Sequence, residues 1–157
     1  MTKTAALGVA GFASTLWLLT LVGAPWLARS IGPGRSVATV AYLAGSRMCH
    51  QRPDRAFRLS GLPMPVCARC TGLYLGAPVG LALALWCARR PHGPMSDRSA
   101  RRLLLWPALP TLASVGSEVL GLGATPAWAR LLLAVPLAAA AAWVCGERLS
   151  ADVARER

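Results

Sequence analysis

The 157-residue chain is 55% hydrophobic and only 15% charged, with a mean hydropathy of +0.47, which excludes an ordinary soluble domain. Its 17 basic against 6 acidic residues invite a nucleic-acid reading, but the arginines lie between apolar runs, the pattern of span-flanking charges that meet anionic headgroups rather than of a groove-reading face. Five cysteines cannot all pair within one chain.

In chain order, the first apolar run covers about residues 5–28. It is too long for a signal-peptide core of about 7–15 residues and reads as a retained first span, with Trp26 near an interface. Gly32-Pro33-Gly34 then signals a turn. Residues 36–46 are apolar, but as a helix they reach only about 16 Å, too short to cross. They read as an interfacial or re-entrant helix that delivers Cys49 and His50 to the membrane surface. A polar Cys/His/Arg loop over 47–66 carries Arg52, Asp54, Arg55 and Arg58 among several prolines and glycines.

The second span is expected over 67–88. Gly72, Gly76 and Gly80 recur every four residues along it, a bare stripe for close helix contact. Cys67, Cys70, Thr71 and Tyr74 fall on the opposite face at 100° per residue. After the basic loop Arg89–Arg102, in which His92 sits as a solvated residue, a third span covers about 103–122. The turn Gly121–Pro126 joins it to a fourth over 127–146. The expected fold is therefore all-α, a single polytopic membrane domain with four transmembrane helices and one short interfacial or re-entrant helix.

Both termini then share one side. The positive-inside rule puts them in the cytoplasm, with nine Lys and Arg on that side against eight on the other, and leaves the cysteine cluster outside. In either orientation the Cys/His loop and the Gly121–Pro126 turn share a face. Glu118 and Arg130 lie six residues on either side of Ala124, at equal depth on antiparallel helices, and an intramembrane ionisable residue normally faces inward with a partner. Their pairing is expected just beneath the cysteines, as a structural register pair or a transport element. Cys87 and Cys145 fall at the opposite face.

Two chemistries suit the cluster. Cys49, His50, Cys67 and Cys70 make a three-thiolate, one-imidazole set for zinc, and Cys-x-x-Cys at a helix start is a familiar half-site; copper(I) or an iron–sulfur centre would also accept the thiolates. Arg47, Arg52 and Arg69 would offset thiolate charge and Gln51 would support the site; the alternative for His50 is a hydrogen-bonding role beside the ligands. Alternatively, Cys67 and Cys70 in the first turn of a helix favour a thiolate and could exchange disulfides with Cys49. Cys-x-x-Cys at a span terminus is also how four-helix membrane oxidoreductases of the vitamin K epoxide reductase kind are built, although a second loop cysteine pair is absent. A structural disulfide, or simple packing, is the plain alternative. A third, non-catalytic reading is an assembly or transport-accessory protein whose Gly72/Gly76/Gly80 face takes a partner helix. No phosphate loop, nucleophile elbow or paired catalytic carboxylates appear, which leaves little for a hydrolytic enzyme. Nothing in the sequence sets the substrate or the oligomeric state.

Cys49-His50-Gln51 followed by Pro65-Val66-Cys67-Ala68-Arg69-Cys70-Thr71-Gly72-Leu73-Tyr74-Leu75-Gly76 resembles a family of small prokaryotic membrane proteins catalogued as domain of unknown function 2085. Arg55-Ala56-Phe57 is similar to that family's Arg-Ser-Phe element. Glu118 stands where members often carry an aspartate, and Arg130 where they carry an Asn-x-x-Arg arginine, with Ala127 at the asparagine position. The resemblance covers Met48 to Leu133 and implies a membrane location and a shared Cys/His site, with no activity attached.

Overall fold

The computed structural model describes residues 3–89 and 95–155; the remainder of the basic loop, His92 included, and both chain ends lie outside the described residues. Five α-helices account for most of them: α1 Lys3–Leu27, α2 Pro33–Met48, α3 Ala68–Ala88, α4 Asp97–Val119 and α5 Ala127–Arg155. Between α2 and α3 lie a single 3-10 turn, Pro53–Arg55, and a two-stranded antiparallel hairpin of β1 Arg58–Leu59 and β2 Leu62–Pro63. The helix α2 is longer than the expected short element, because Pro33 does not end a helix but begins one. Proline is tolerated in the first turn, where its missing N–H has no partner anyway, and Gly32 at φ 89° makes the entry.

The helix α3 is central. It packs most extensively on α5 and less so on α1; α2 leans on α1, and α4 lies against α5. The glycine stripe explains the closeness of α3 and α5. A Cβ added at Gly72, Gly76 or Gly80 would overlap the backbone carbonyls of Leu131, Val135 and Ala139, and would lie 2.8–2.9 Å from the methyls of Ala134, Ala138 and Ala142. Small residues thus face small residues every four positions on both helices, and the backbones approach as in small-xxx-small membrane pairs. At the far end Gly146 admits Ala84 and Leu7, so α5, α3 and α1 meet there. The face that was a candidate for a partner helix is filled by α5 of the same chain.

Three helices are long and apolar enough to cross a membrane by length and composition: Thr4–Leu27, Ala68–Ala88 and Ala127–Leu149. The helix α4 is not among them. It is long enough, but it includes Arg102, Pro107, Pro110, Thr111, Ser114, Ser117 and Glu118. Its two faces differ sharply. Leu105, Trp106, Leu109 and Leu112 are more than half exposed, whereas Thr111 and Ser114 are buried against α5 and α3. Thr111 Oγ1 donates to the Leu133 carbonyl at 2.8 Å. The chain enters α4 through Ser96, whose hydroxyl accepts from Ser99 N–H, and Asp97 in the first turn is paired with Arg148 of α5. That guanidinium holds the Asp97 carboxyl below its usual range.

Candidate metal centre

The helix α2 ends at Cys49, whose N–H returns to the Gly45 carbonyl at 2.8 Å while its own backbone is extended. Two residues later Gln51 takes φ 47°, a left-handed conformation that costs about 1–2 kcal/mol in a non-glycine residue. The Gln51 side chain offsets that cost. Its amide nitrogen donates to the Tyr42 carbonyl at 2.7 Å and the Pro65 carbonyl at 2.8 Å, tying the end of α2 to the segment that precedes α3. Tyr42 adds a second tie, its hydroxyl donating to Pro63 O at 2.6 Å. Gly45 makes the approach possible: a Cβ there would sit 2.6 Å from Pro65 O. Between these ties the hairpin reverses at Ser60 and Gly61, with φ of 52° and 79°, the doubly left-handed turn that suits hairpin twist. Pro65 and Val66 are fully buried, and Cys67 follows directly.

Cys67 caps the N-terminus of α3, and its backbone N–H donates to Cys49 Sγ at 3.2 Å. The sulfurs of Cys49, Cys67 and Cys70 all lie within 4.8 Å of one another. Three thiolates on a tetrahedral metal with ~2.3 Å bonds stand about 3.8 Å apart, within that limit. All five cysteines are free. The Cys70 thiol donates to Cys67 and, with help from Cys49 and the first-turn N–H groups, holds the Cys67 thiol down to about 5, against burial that pushes the other way. Trp17, Leu21, Val66 and Tyr74 wall the cluster from the bundle side. Tyr74 stands edge-on to Trp17 with ring centroids 6.3 Å apart and donates its hydroxyl to Met48 Sδ at 3.0 Å.

Beside the sulfurs opens a cleft of about 400 Å³ that His50, Arg52, Arg55, Arg69 and Arg130 also line. Glu118 is the hub beneath it. Arg130 Nε donates to Glu118 Oε1 at 2.9 Å, Arg69 Nη2 reaches the same oxygen at 3.3 Å and Ser114 Oγ at 3.2 Å, and Arg55 Nη1 pairs with Oε2 at 3.5 Å. The carboxylate and Arg130 side chains are only 6% and 7% exposed, so this pairing is largely shielded from water.

The structure brings together Cys49, Cys67 and Cys70, and separately Glu118 with Arg130. His50 is exposed and stands outside the sulfur trio, although it lines the same cleft. Arg69 does not face the thiolates as expected but turns to Glu118 and Ser114, because a buried carboxylate is a stronger attractor than half-exposed sulfur. Arg52 pairs with the exposed Asp54. Cys87 and Cys145 take no part in the cluster. Sequence reasoning missed the tethers Tyr42 and Gly45 and the third arginine on Glu118, Arg55. A glycine within a short, otherwise packed helix and a Ser60-Gly61 turn dipeptide were the available signals.

The profile of DUF2085, described as a predicted membrane protein, matches residues 49–144. An uncharacterised protein of Methanocaldococcus jannaschii is 43% identical over 47 residues, 30% of either chain. An uncharacterised protein of Methanothermobacter thermautotrophicus is 57% identical over 30 residues, 19% of this chain and 27% of that one. The alignments therefore span less than a third of the length of these relatives. No solved structure matches. With the profile running from the first sulfur of the cluster, through the Glu118 hub, deep into α5, the chain belongs to the DUF2085 family of predicted membrane proteins.

Proposed function

We propose that this is a four-span membrane protein holding one metal ion, zinc in the first instance, on Cys49, Cys67 and Cys70 at one membrane face, with His50 swinging in from the cleft as the fourth ligand. The carrying observation is the convergence of three sulfurs from two segments, with the Cys67 N–H already donating to Cys49 Sγ at 3.2 Å. Such a bond offsets thiolate charge and fixes ligand orientation. Soft thiolates equally suit copper(I) or an iron–sulfur centre, and elemental analysis separates these. With His50 as fourth ligand a bound zinc would be closed by four protein ligands, and would fasten the loop to the start of α3. Around it, Gln51 and Tyr42 hold the two ligand-bearing segments in register, and Trp17, Leu21 and Tyr74 keep water from the bundle side.

The two-faced character of α4 supports its being a span as well, the third in chain order: its leucines and Trp106 face outward, where lipid would cover them, and its hydroxyls and Glu118 face inward. The termini are proposed to be cytoplasmic and the cluster external. Protein purified in mild detergent should carry about one metal per chain, lost in Cys49→Ser. Metal-free protein whose Cys49, Cys67 and Cys70 all react freely with maleimide overturns the reading.

The lowered pKa of Cys67 beside Cys70 favours one second reading, a membrane thiol–disulfide oxidoreductase with Cys49 as the attacking or resolving partner. It requires a redox-dependent gel shift that Cys70→Ser abolishes.

A further inference from the structure

We infer that the cleft beside the sulfurs is a binding site for a phosphate-type oxyanion, held by the guanidinium groups of Arg55, Arg69 and Arg130. The inference shares its cleft with the metal centre but stands on the arginines alone. Four guanidinium groups at the cleft, Arg52, Arg55, Arg69 and Arg130, share two carboxylates, Asp54 and Glu118, which leaves two positive charges in excess. Two of these cations are largely buried, Arg130 at 7% and Arg69 at 21% side-chain exposure. Buried charge without a counterion is costly, and the ordinary remedy is an opposite charge in contact. A divalent metal on three thiolates, one net negative charge, offsets only part of that excess.

A second observation points the same way. Arg69 Nε is buried and has no hydrogen-bond partner, while Arg69 Nη2 is spent on Ser114 and Glu118. That unsatisfied donor adds to the cost of holding the Arg69 charge beside the cleft, a cost that a nearby anion lowers. Arg55, Arg69 and Arg130 come from the loop, α3 and α5, so their planar forks enter from three elements. A carboxylate offers two oxygens in one plane, a role Glu118 already fills; a phosphate group offers several, tetrahedrally arranged, and fits three separate forks. The cleft, about 400 Å³ with Leu73 and Met48 on its wall, has room for the phosphate of a soluble monoester or of a lipid headgroup.

The test uses full-length, metal-loaded protein in mild detergent. One arm titrates inorganic phosphate by calorimetry; the other measures co-flotation with vesicles containing phosphatidic acid, against vesicles of phosphatidylcholine alone. The variants are Arg55→Gln and Arg55→Lys, since Arg55 is 38% exposed and its replacement spares the fold. Saturable binding in either arm, weakened about tenfold or more by Arg55→Gln and only partly restored by Arg55→Lys, supports the inference and tells a soluble anion from a headgroup. Binding absent from both arms, or unchanged in both variants, overturns it. Metal content is read on the same samples. Arg55→Gln should keep its metal and lose phosphate, so loss of the metal reading and loss of this one are separable.

Discussion

Replacing Glu118 by glutamine keeps the size and the acceptor oxygen of the side chain and removes only its charge. In the folded protein that charge answers Arg130 at 2.9 Å, Arg69 at 3.3 Å and Arg55 at 3.5 Å, with both Glu118 and Arg130 more than nine-tenths buried. Breaking a buried ion pair from one side leaves an uncompensated charge and costs about 3–5 kcal/mol. At about 2–4 °C per kcal/mol for a chain of this size, the midpoint of thermal unfolding should fall by about 6–20 °C. The six tryptophans make intrinsic fluorescence a suitable reporter in detergent. Asp54→Asn is the control: it removes a carboxylate paired at 3.5 and 3.8 Å but 59% exposed, where an ion pair is worth about 0–1 kcal/mol. The double variant Glu118→Gln/Arg130→Gln should recover part of the loss, because it removes the most buried of the three cations left without that charge. A single-variant shift no larger than that of Asp54→Asn would refute the hub.

Three further outcomes are expected. Gly76→Leu forces a side chain into the Val135 carbonyl and to within 2.8 Å of the Ala138 methyl, so it should cost about 3 kcal/mol or more, seen as a lower unfolding midpoint, whereas Gly8→Leu, with open space around it, should leave the midpoint unchanged. Gln51→Ala deprives the Tyr42 and Pro65 carbonyls of their donor and loosens the two ligand-bearing segments; metal affinity measured by chelator competition should fall by about 10- to 100-fold. In chelator-stripped protein, Cys67 should react with iodoacetamide down to about pH 5, because Cys70 holds its thiol near that value, while an ordinary thiol of pKa about 8.5 slows tenfold per pH unit below its own value. The sign for stability follows from the same depression: the contribution is fully present above the unfolded thiol's pKa, and acid removes it as pH falls toward 5.

The spans over α1, α3 and α5 were legible because long apolar runs announce themselves, and the Glu118–Arg130 pair was legible by counting outward from the Gly121–Pro126 turn. The glycine stripe was legible as packing, but not the identity of its partner. That depends on the matching small residues Ala134, Ala138 and Ala142, which in an alanine-rich helix stand out from nothing. The rotamer of Arg69 was not legible either. Next to two cysteines its guanidinium looks like a thiolate counterion, and only the proximity of Ser114 and Glu118 on α4 turns it away. Gln51 sits beside the cysteine and histidine in the chain, which suggests a supporting place at the site, and its work is mechanical: a left-handed residue whose amide bridges two carbonyls. Local pattern carries periodicity and turn chemistry, and it does not carry which of several neighbours a long polar side chain will meet.

Glu118 also bears on how such a chain is assembled. On the proposed four-span reading, a lone carboxylate, two prolines and a row of hydroxyls make α4 the most expensive helix of the set to place in lipid. Arg130 sits across one short turn on α5, and its guanidinium meets that carboxylate at 2.9 Å. On that reading the α4–α5 hairpin would insert as a unit, with the carboxylate of one helix paired to the guanidinium of the other. The same carboxylate also meets Arg69 of α3 and Arg55 of the cysteine loop. On this reading a single side chain both offsets the cost of placing α4 in lipid and ties the rest of the site to it.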